Sequence, residues 1–361
     1  MKILVFPKDL NPYQELLYQP LREYHGVEVN YLRGPTGIQT IDLIFMLLPL
    51  SIILKRLQGY KVVHIHWIYQ FKLYGFNQLP FKVLMQLYYI GTLYLFKLLG
   101  YRLVWTAHDY LPYEDYLYNP QKAVQMLARL SDVVIVHSKV TLDQLKTIGA
   151  MPRHYRIVPH GNYIGVYPET NENLKRELNI SDDSIVILYF GLIRQYKGVD
   201  NLIRAFKKIK NADIRLIIAG KCLDNKLKDQ ITLLARYDKR IIFQEGYVSN
   251  ENVSKYFKAS DIVCLPFKST TTSGSVLLAL SYGKAIVAPK VGALEDLPVN
   301  VGILYDPTDK NALDQSLRAA ITNKKAIGQY GKNSMRYAKE LSWTHIAMKT
   351  LDIYSSILKN Q

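Results

Sequence analysis

The sequence predicts an α/β protein built from two doubly wound parallel sheets, on three observations. Short β-branched runs alternate with longer helical patterns along the whole chain, as parallel sheets with crossover helices require. The chain has 361 residues, and single cores tend to split beyond about 250–300 residues, so two cores are expected. Most of the runs end in Gly, Pro, His or Asp, the small or polar residues suited to strand ends that deliver a ligand site.

In chain order, the strand-like runs of the first half are 3–6, 27–31, 62–66, 103–106, 133–137 and 156–158. Those of the second half are 185–190, 214–219, 241–243, 262–265, 285–288 and 302–305. A polar stretch at 163–183, rich in Asn, Glu, Pro and Gly, marks a boundary between them. The domains expected are therefore 1–165 and 166–340, with 341–361 a terminal helix that returns to the first domain. The helical pattern feeding it runs from 333 to 359 and carries Trp343. A ligand cleft between the carboxyl ends of the two sets of strands follows from this architecture. Neither half has G-x-G-x-x-G after its first strand; the first turn reads Pro7-Lys8-Asp9-Leu10-Asn11-Pro12-Tyr13. That argues against a nicotinamide or flavin dehydrogenase, whose pyrophosphate needs close backbone approach there. The Walker pattern is absent too.

The formal net charge of +16 implies an anionic partner: nucleic acid, an acidic membrane surface or phosphorylated substrates. Residues 1–165 carry 17 Lys and Arg against 10 Asp and Glu, a net +7, and the rest of the chain carries +9. A nucleic-acid-binding protein is one reading. The charge is spread over both halves, however, and no basic run is interleaved with aromatics. Cys222 and Cys264 show no C-x-x-C spacing and read as reduced core residues of a cytoplasmic protein. The amino terminus lacks the layout of a signal peptide. The apolar segment 43–54, broken by Pro49, is shorter than the about 20 residues of a membrane span. Segment 83–99 is longer but carries Gln86 and Lys97. Both are expected as buried helices, with insertion into a bilayer interface the alternative, toward which the 28 tyrosines lean.

The most informative stretch is Tyr189-Phe190-Gly191-Leu192-Ile193-Arg194-Gln195-Tyr196-Lys197-Gly198, where a β-branched run meets two glycines and two cations. Gly191 permits close backbone approach of a ligand, Arg194 offers a planar fork for phosphate oxygens, and Lys197 adds a point charge. Further on, Thr270-Thr271-Thr272-Ser273-Gly274-Ser275 leads into an apolar helix. Hydroxyls and glycine there cap the helix and also present its amino-terminal N–H groups to an anion. Together the two features describe a diphosphate held from both sides. Gly246-Tyr247-Val248 follows another strand and could hold a nucleobase, or form a plain turn.

In the first half, Val104-Trp105-Thr106-Ala107-His108-Asp109 ends a strand in an imidazole and a carboxylate. His108 is a candidate general base or a structural residue, and Glu114 could orient it or act itself. His64-Ile65-His66-Trp67 ends the preceding strand with both histidines on one face, suited to acceptor contact or packing rather than a metal. His160 lies just before the boundary, where a residue can reach a cleft. No D-x-D occurs, so no metal bridging a diphosphate is expected.

With these residues assembled, the chain resembles a glycosyltransferase of the GT-B fold over nearly its whole length: two Rossmann-like domains facing across a cleft. Gly191-Leu192-Ile193-Arg194-x-x-Lys197-Gly198 is similar to the donor-diphosphate segment of glycosyltransferase family 4. The nearer likeness is to family 94, the β-mannosyltransferases of xanthan-type exopolysaccharide assembly. It rests on Asn11-Pro12-Tyr13, His64-x-His66-Trp67, Thr106-x-His108 with Glu114, His160-Gly161-x-Tyr163, and the run from Ser273 to Ser281. Family 4 usually carries two glutamates eight residues apart near that helix start, and here those positions are Thr270 and Leu278. Asp109 stands where an asparagine is common.

The resemblance implies an acceptor-binding first domain and a donor-binding second domain. It implies transfer of a hexosyl group, mannosyl first, from a GDP- or UDP-sugar to a lipid-linked glycan, without a metal, on the inner face of the plasma membrane. Arg194, Lys197, Gly191, Ser273, Gly274 and Ser275 would hold the diphosphate, and Gly246, Tyr247 and Val248 the nucleobase. His108 or Glu114, ahead of Asp109, would deprotonate the acceptor, while Asn11, Tyr13, His64, His66, Trp67 and His160 would touch acceptor or sugar. Were configuration retained, as in family 4, the base role would lapse and His108 would become a sugar contact. A catalytically idle glycan-binding scaffold of the same fold is the remaining alternative.

Overall fold

Runs of β-branched and apolar residues buried on both sides can only be interior strands of covered sheets, and the chain forms two of them. The structure, a computed structural model, describes residues 1–9, 11–68, 71, 76, 78–111, 117–269 and 273–359. It divides into two compact units, Met1–Gly161 with Trp343–Gln361, and Asn162–Ser342.

In the first unit the elements run β1 (Lys2–Phe6), α1 (Pro12–His25), β2 (Glu28–Tyr31), α2 (Gln39–Ile44), α3 (Leu48–Leu57), β3 (Val62–Ile65) and α4 (Leu79–Leu98). They continue with β4 (Arg102–Ala107), α5 (Pro120–Leu130), β5 (Val133–Val136), α6 (Lys139–Thr147) and β6 (Tyr155–Ile157). All described pairings are parallel, in the order β2-β1-β3-β4-β5-β6. Alternate residues serve opposite faces. Leu4, Val63, Leu103 and Trp105 join the core under α3, α4 and α5. Ile3, Val5, Val62 and Val104 join a second core with Tyr13, Leu17 and Tyr18 of α1. That second core is closed by the C-terminal helix α14 (Trp343–Lys359), through Trp343, Ile346 and Tyr354.

The second unit runs α7 (Leu174–Glu177), β7 (Ile185–Phe190), α8 (Val199–Lys207), β8 (Ile214–Gly220), α9 (Asn225–Ala235), β9 (Ile241–Glu245) and α10 (Asn250–Ala259). It ends with β10 (Ile262–Cys264), α11 (Gly274–Ser281), β11 (Ala285–Pro289), β12 (Gly302–Tyr305), α12 (Ala312–Thr322) and α13 (Lys324–Glu340). Its sheet is parallel in the order β12-β11-β10-β7-β8-β9. The first strand in sequence is therefore central, with β8 on one side and β10 on the other. This is the switch point where open sheets bind ligands at their carboxyl ends.

Two expectations change. The helical pattern 333–359 is not one helix, because α13 stops at Glu340 and α14 starts at Trp343. Asn162 is the reason for the stop: its N–H donates to the Leu341 carbonyl at 3.0 Å and its side-chain amide to the Ala338 carbonyl at 2.7 Å. Those bonds satisfy carbonyls that a continuing helix would have used itself.

The apolar segments 43–54 and 83–99 are helical but only half buried. Ile52 of α3 and Met85, Tyr89, Leu93 and Phe96 of α4 face the core, whereas Leu57 is 79% and Leu98 84% exposed. A helix laid on one side of a sheet buries one stripe, so an apolar surplus has nowhere to go.

Gly161 packs where a Cβ would lie 2.3 Å from the buried Trp343 indole. Gly161→Ala is expected to loosen the C-terminal helix and lower stability by about 1–3 kcal/mol, as overpacking does. Urea unfolding followed by tryptophan fluorescence measures it; an unchanged midpoint would contradict this packing.

Candidate functional site

In the second unit, β7, β8 and β9 lie side by side and are each followed or ended by a glycine: Gly191, Gly220 and Gly246. Gly191 has φ +126° and Gly220 φ +153°, and a Cβ on Gly220 would sit 1.9 Å from the Gly191 carbonyl oxygen. No other residue fits this close backbone pass. It leaves the carboxyl edge of the sheet lined by main chain.

From Gly191 the chain turns through a short 3-10 segment, Gln195–Lys197, toward β10. A Cβ on Gly191 would lie 2.8 Å from the Ser275 hydroxyl, and one on Gly198 would lie 2.2 Å from the Pro266 carbonyl. The Lys268 N–H donates to the Tyr196 carbonyl at 2.8 Å. Lys197 is fixed by this docking, its ammonium 3.7 Å from the Phe267 ring centroid. Cation–π contact of that kind orients a charge without neutralising it. Arg194 is half buried beside it, its carbonyl accepting from the Lys197 N–H at 2.9 Å.

The amino terminus of α11 completes the group. Ser273 caps it, its hydroxyl accepting from the Val276 N–H, and Gly274 stands exposed at the first position. The structure thus sets Gly191 against Ser275 at the start of α11, and Lys197 against Phe267 past β10. Gly246 follows β9, and Tyr247 is 77% exposed. Val248 is half buried. Thr270, Thr271 and Thr272 lie outside the described residues.

In the first unit, neighbouring strands end in histidines: His64 and His66 at β3, His108 at β4, His137 at β5, and His160 beyond β6. Their rings form a bonded row. His137 Nδ1 is 2.9 Å from the Val158 carbonyl, an acceptor, so this nitrogen must carry the proton. A neutral ring then leaves Nε2 bare to accept from His108 Nδ1 at 3.3 Å. By the same logic His108 Nε2 accepts from His66 Nδ1 at 3.1 Å, and His66 Nε2 accepts from the Tyr18 hydroxyl at 2.8 Å. His64 Nδ1 lies 2.8 Å from the Tyr18 oxygen and 2.5 Å from the Tyr354 oxygen, and its Nε2 lies 2.7 Å from the Thr106 hydroxyl. One carbonyl therefore fixes the tautomers of His137, His108 and His66.

Burial supports the neutral forms. Removal from water pushes the pKa of His64 down to about 3, His160 to about 3 and His137 to about 4. Burial likewise holds His66 and His108 well below the usual imidazole value, with neighbouring histidines adding to the effect.

Several expected roles are corrected by this arrangement. His64 and His66 are fully enclosed and their nitrogens bonded inside the unit, so a surface contact to an acceptor is not open to them. Tyr13 is 2% exposed, its ring edge-on to His66, His108, His160 and Trp343, and it serves as the hub of the cluster. Asn11 is the cap of α1, its Oδ1 accepting from the Tyr13 N–H at 2.9 Å. His108 is half buried, but both ring nitrogens are engaged by imidazoles, which leaves no lone pair for a substrate proton. Trp67 stacks on it with ring centroids 4.4 Å apart.

His160, at the edge of the row, keeps its Nδ1 2.8 Å from the Gly161 carbonyl. Asp109 is half exposed at the β4 end, and Glu114 lies outside the described residues. Sequence reasoning missed His137, Tyr18 and Tyr354. The signal for His137 was available, since it is the third consecutive strand to end in histidine. Among the described residues no group of three His, Cys, Asp or Glu could hold a metal ion; the ring nitrogens pair with one another instead of converging on a point.

Unfolded histidine binds its proton near about pH 6.5, whereas folded His137 does so only near 4 and His64 and His160 only near 3. Within that window the unfolded chain holds more protons. Stability is therefore complete above the unfolded value and is withdrawn as pH falls, by about 1.4 kcal/mol per pH unit per group. Urea midpoints should drop steeply on acidification through this range; a flat profile would contradict a neutral buried row.

Residues 170–337 match the family model described as glycosyl transferases group 1. Among curated relatives, lipopolysaccharide 1,2-N-acetylglucosaminetransferase of Salmonella typhimurium is 24% identical over 54% of this chain and 54% of that protein. GDP-mannose:glycolipid 4-beta-D-mannosyltransferase of Xanthomonas campestris is 24% identical over 64% of this chain and 62% of that one. The chain spans about half to three fifths of the length of the curated relatives it matches. Among solved structures, sucrose-phosphate synthase from Thermosynechococcus elongatus superposes with a TM-score of 0.77 at 16% identity, covering 100% of this chain and 99% of that one. Anabaena HepE, solved in complex with UDP, gives 0.73 at 18% identity over 99% and 100%. The chain therefore has the GT-B fold, and its segment 170–337 is similar to the group 1 glycosyl transferases.

Proposed function

We propose that the chain is a glycosyltransferase that moves a hexosyl group, mannosyl first, from a GDP- or UDP-sugar to a lipid-linked glycan in polysaccharide assembly at the inner membrane face. The observation that carries the reading is the carboxyl edge of the second sheet, where Gly191 packs against Ser275 at the start of α11 and Lys197 is seated on Phe267 past β10. The names of relatives support it: one acts on GDP-mannose and a glycolipid, and one neighbour was solved with UDP.

Departure of a nucleoside diphosphate builds negative charge on its oxygens. Under this proposal Arg194, Lys197 and the N–H groups at the start of α11 receive it, and little reorganisation accompanies the reaction. In this reading they do the work that a divalent ion does elsewhere. Gly246, Tyr247 and Val248 lie one strand further along the same edge and take the nucleobase. With both His108 nitrogens engaged, deprotonation of the acceptor hydroxyl falls to a carboxylate past β4, Glu114 ahead of Asp109. His108, with Trp67 stacked upon it, takes no proton itself in this reading.

Lys197→Ala and Arg194→Ala are each expected to lower sugar transfer by about tenfold or more and to shrink the melting-temperature rise given by GDP or UDP, without shifting the melting temperature of the free protein. Equal turnover in both variants would defeat the diphosphate assignment. Oligonucleotide binding with a steep salt dependence, in the absence of any response to GDP or UDP, would favour the nucleic-acid reading instead.

A further inference from the structure

Residues 43–108 contain seven Lys and Arg and not one Asp or Glu. Within that acid-free span lie the two helices with surplus apolar surface. α3 turns Leu50, Ile53, Leu54 and Leu57 outward, at helical spacing. α4 turns Leu84, Leu87, Tyr94 and Leu98 outward, three, seven and four residues apart and so on one face, along about 21 Å of helix. The two helices belong to one layer on one face of the sheet. Arg56 of α3 donates to the Leu99 carbonyl at 2.7 Å, and the Leu48 N–H donates to the Tyr88 hydroxyl at 3.2 Å. Ile41, Ile44 and Phe45, at the end of α2, extend the exposed apolar surface.

We propose that this outer face of α3 and α4 is where the protein lies on an anionic lipid bilayer. Outward leucines with Lys55, Arg56 and Lys82 on the same helices give an interface-lying helix pair its apolar insertion and its attraction to lipid phosphates. Among the described residues no helix is long and apolar enough to cross a membrane, so the helices rest in the interface rather than span it. A second copy of the chain fits poorly, because a symmetric contact through this face would set cations against cations with no carboxylate in the span to pair them. The inference deepens the proposed function and rests on it for its purpose, since a lipid-linked acceptor would be presented in that same surface.

The test uses the whole chain with vesicles of phosphatidylcholine alone and of phosphatidylcholine mixed with phosphatidylglycerol. Binding is expected to the mixed vesicles and to weaken as salt is raised. The double substitution Leu54→Glu with Leu87→Glu should cut binding by about tenfold or more, whereas Leu233→Glu, an exposed leucine of the second unit, should leave it unchanged. Both replaced leucines are surface residues, so GDP- or UDP-induced stabilisation should survive and certify the fold. Absence of vesicle binding, equal binding by the double variant, or a solution dimer that the double variant dissociates would each overturn the proposal. Vesicle binding that persists in a protein indifferent to GDP and UDP would uphold the surface while the donor assignment fell.

Discussion

The carboxyl edge of the second sheet depends on one steric fact: the Gly191 carbonyl occupies the space a side chain on residue 220 would need. The two chains stay paired past Gly191, the Ile193 N–H donating to the Lys221 carbonyl at 2.9 Å, and the segment then turns toward β10. There Gly198 nestles on the Pro266 carbonyl and Lys197 finds the Phe267 ring. A Cβ at any of these points would push the loop away from α11 and leave its amino terminus facing solvent alone. Glycine costs conformational entropy in the unfolded chain, and here that cost is repaid in a main-chain surface that a phosphate can approach.

The first unit solves a related problem with side chains. Its strand ends place imidazoles within hydrogen-bonding distance of one another, and a charge on one would be felt by all. Burial and mutual repulsion act in the same direction, so the row is stable only when neutral. Neutral imidazole has one donor and one acceptor, which lets a chain of rings run from the Val158 carbonyl to Thr106 with each link satisfied. The same completeness takes His108 out of contention as a free base: a ring that orients its neighbours has no nitrogen to lend.

Much of this was legible beforehand, for physical reasons. Strands such as 185–190 and 285–288 announce themselves because fully buried parallel strands are continuously apolar. The glycines at 191 and 198 were legible because their close backbone passes admit no side chain. What escaped were relations between distant segments. Nothing local in Tyr18 or Tyr354 tells that they meet the same imidazole, since their pairing is created by α14 folding onto α1. His64, His66 and Tyr13 read as surface contacts because polar residues at strand ends usually are; only the row of partners makes their burial tolerable. Segments 43–54 and 83–99 misled in the opposite sense, as uniform hydrophobicity cannot reveal that a single sheet face has room for just one stripe of each helix.

The net charge of +16 now resolves into separate local causes. In the second unit Arg194 and Lys197 belong to the glycine-bounded loop after β7, the proposed anion site. In the first, seven cations sit in a span without acids, Lys97 and Arg102 of them paired with Asp132, and share it with outward leucines. A nucleic-acid groove would need cations tracking a phosphate backbone, with aromatic rings between them as stacking platforms. Of the outward apolar side chains of α3 and α4 only Tyr94 is aromatic, too few rings for a row of stacking platforms. An aliphatic surface ringed by positive charge gains free energy only where acyl chains and anionic headgroups occur together, and that combination is found at a lipid surface.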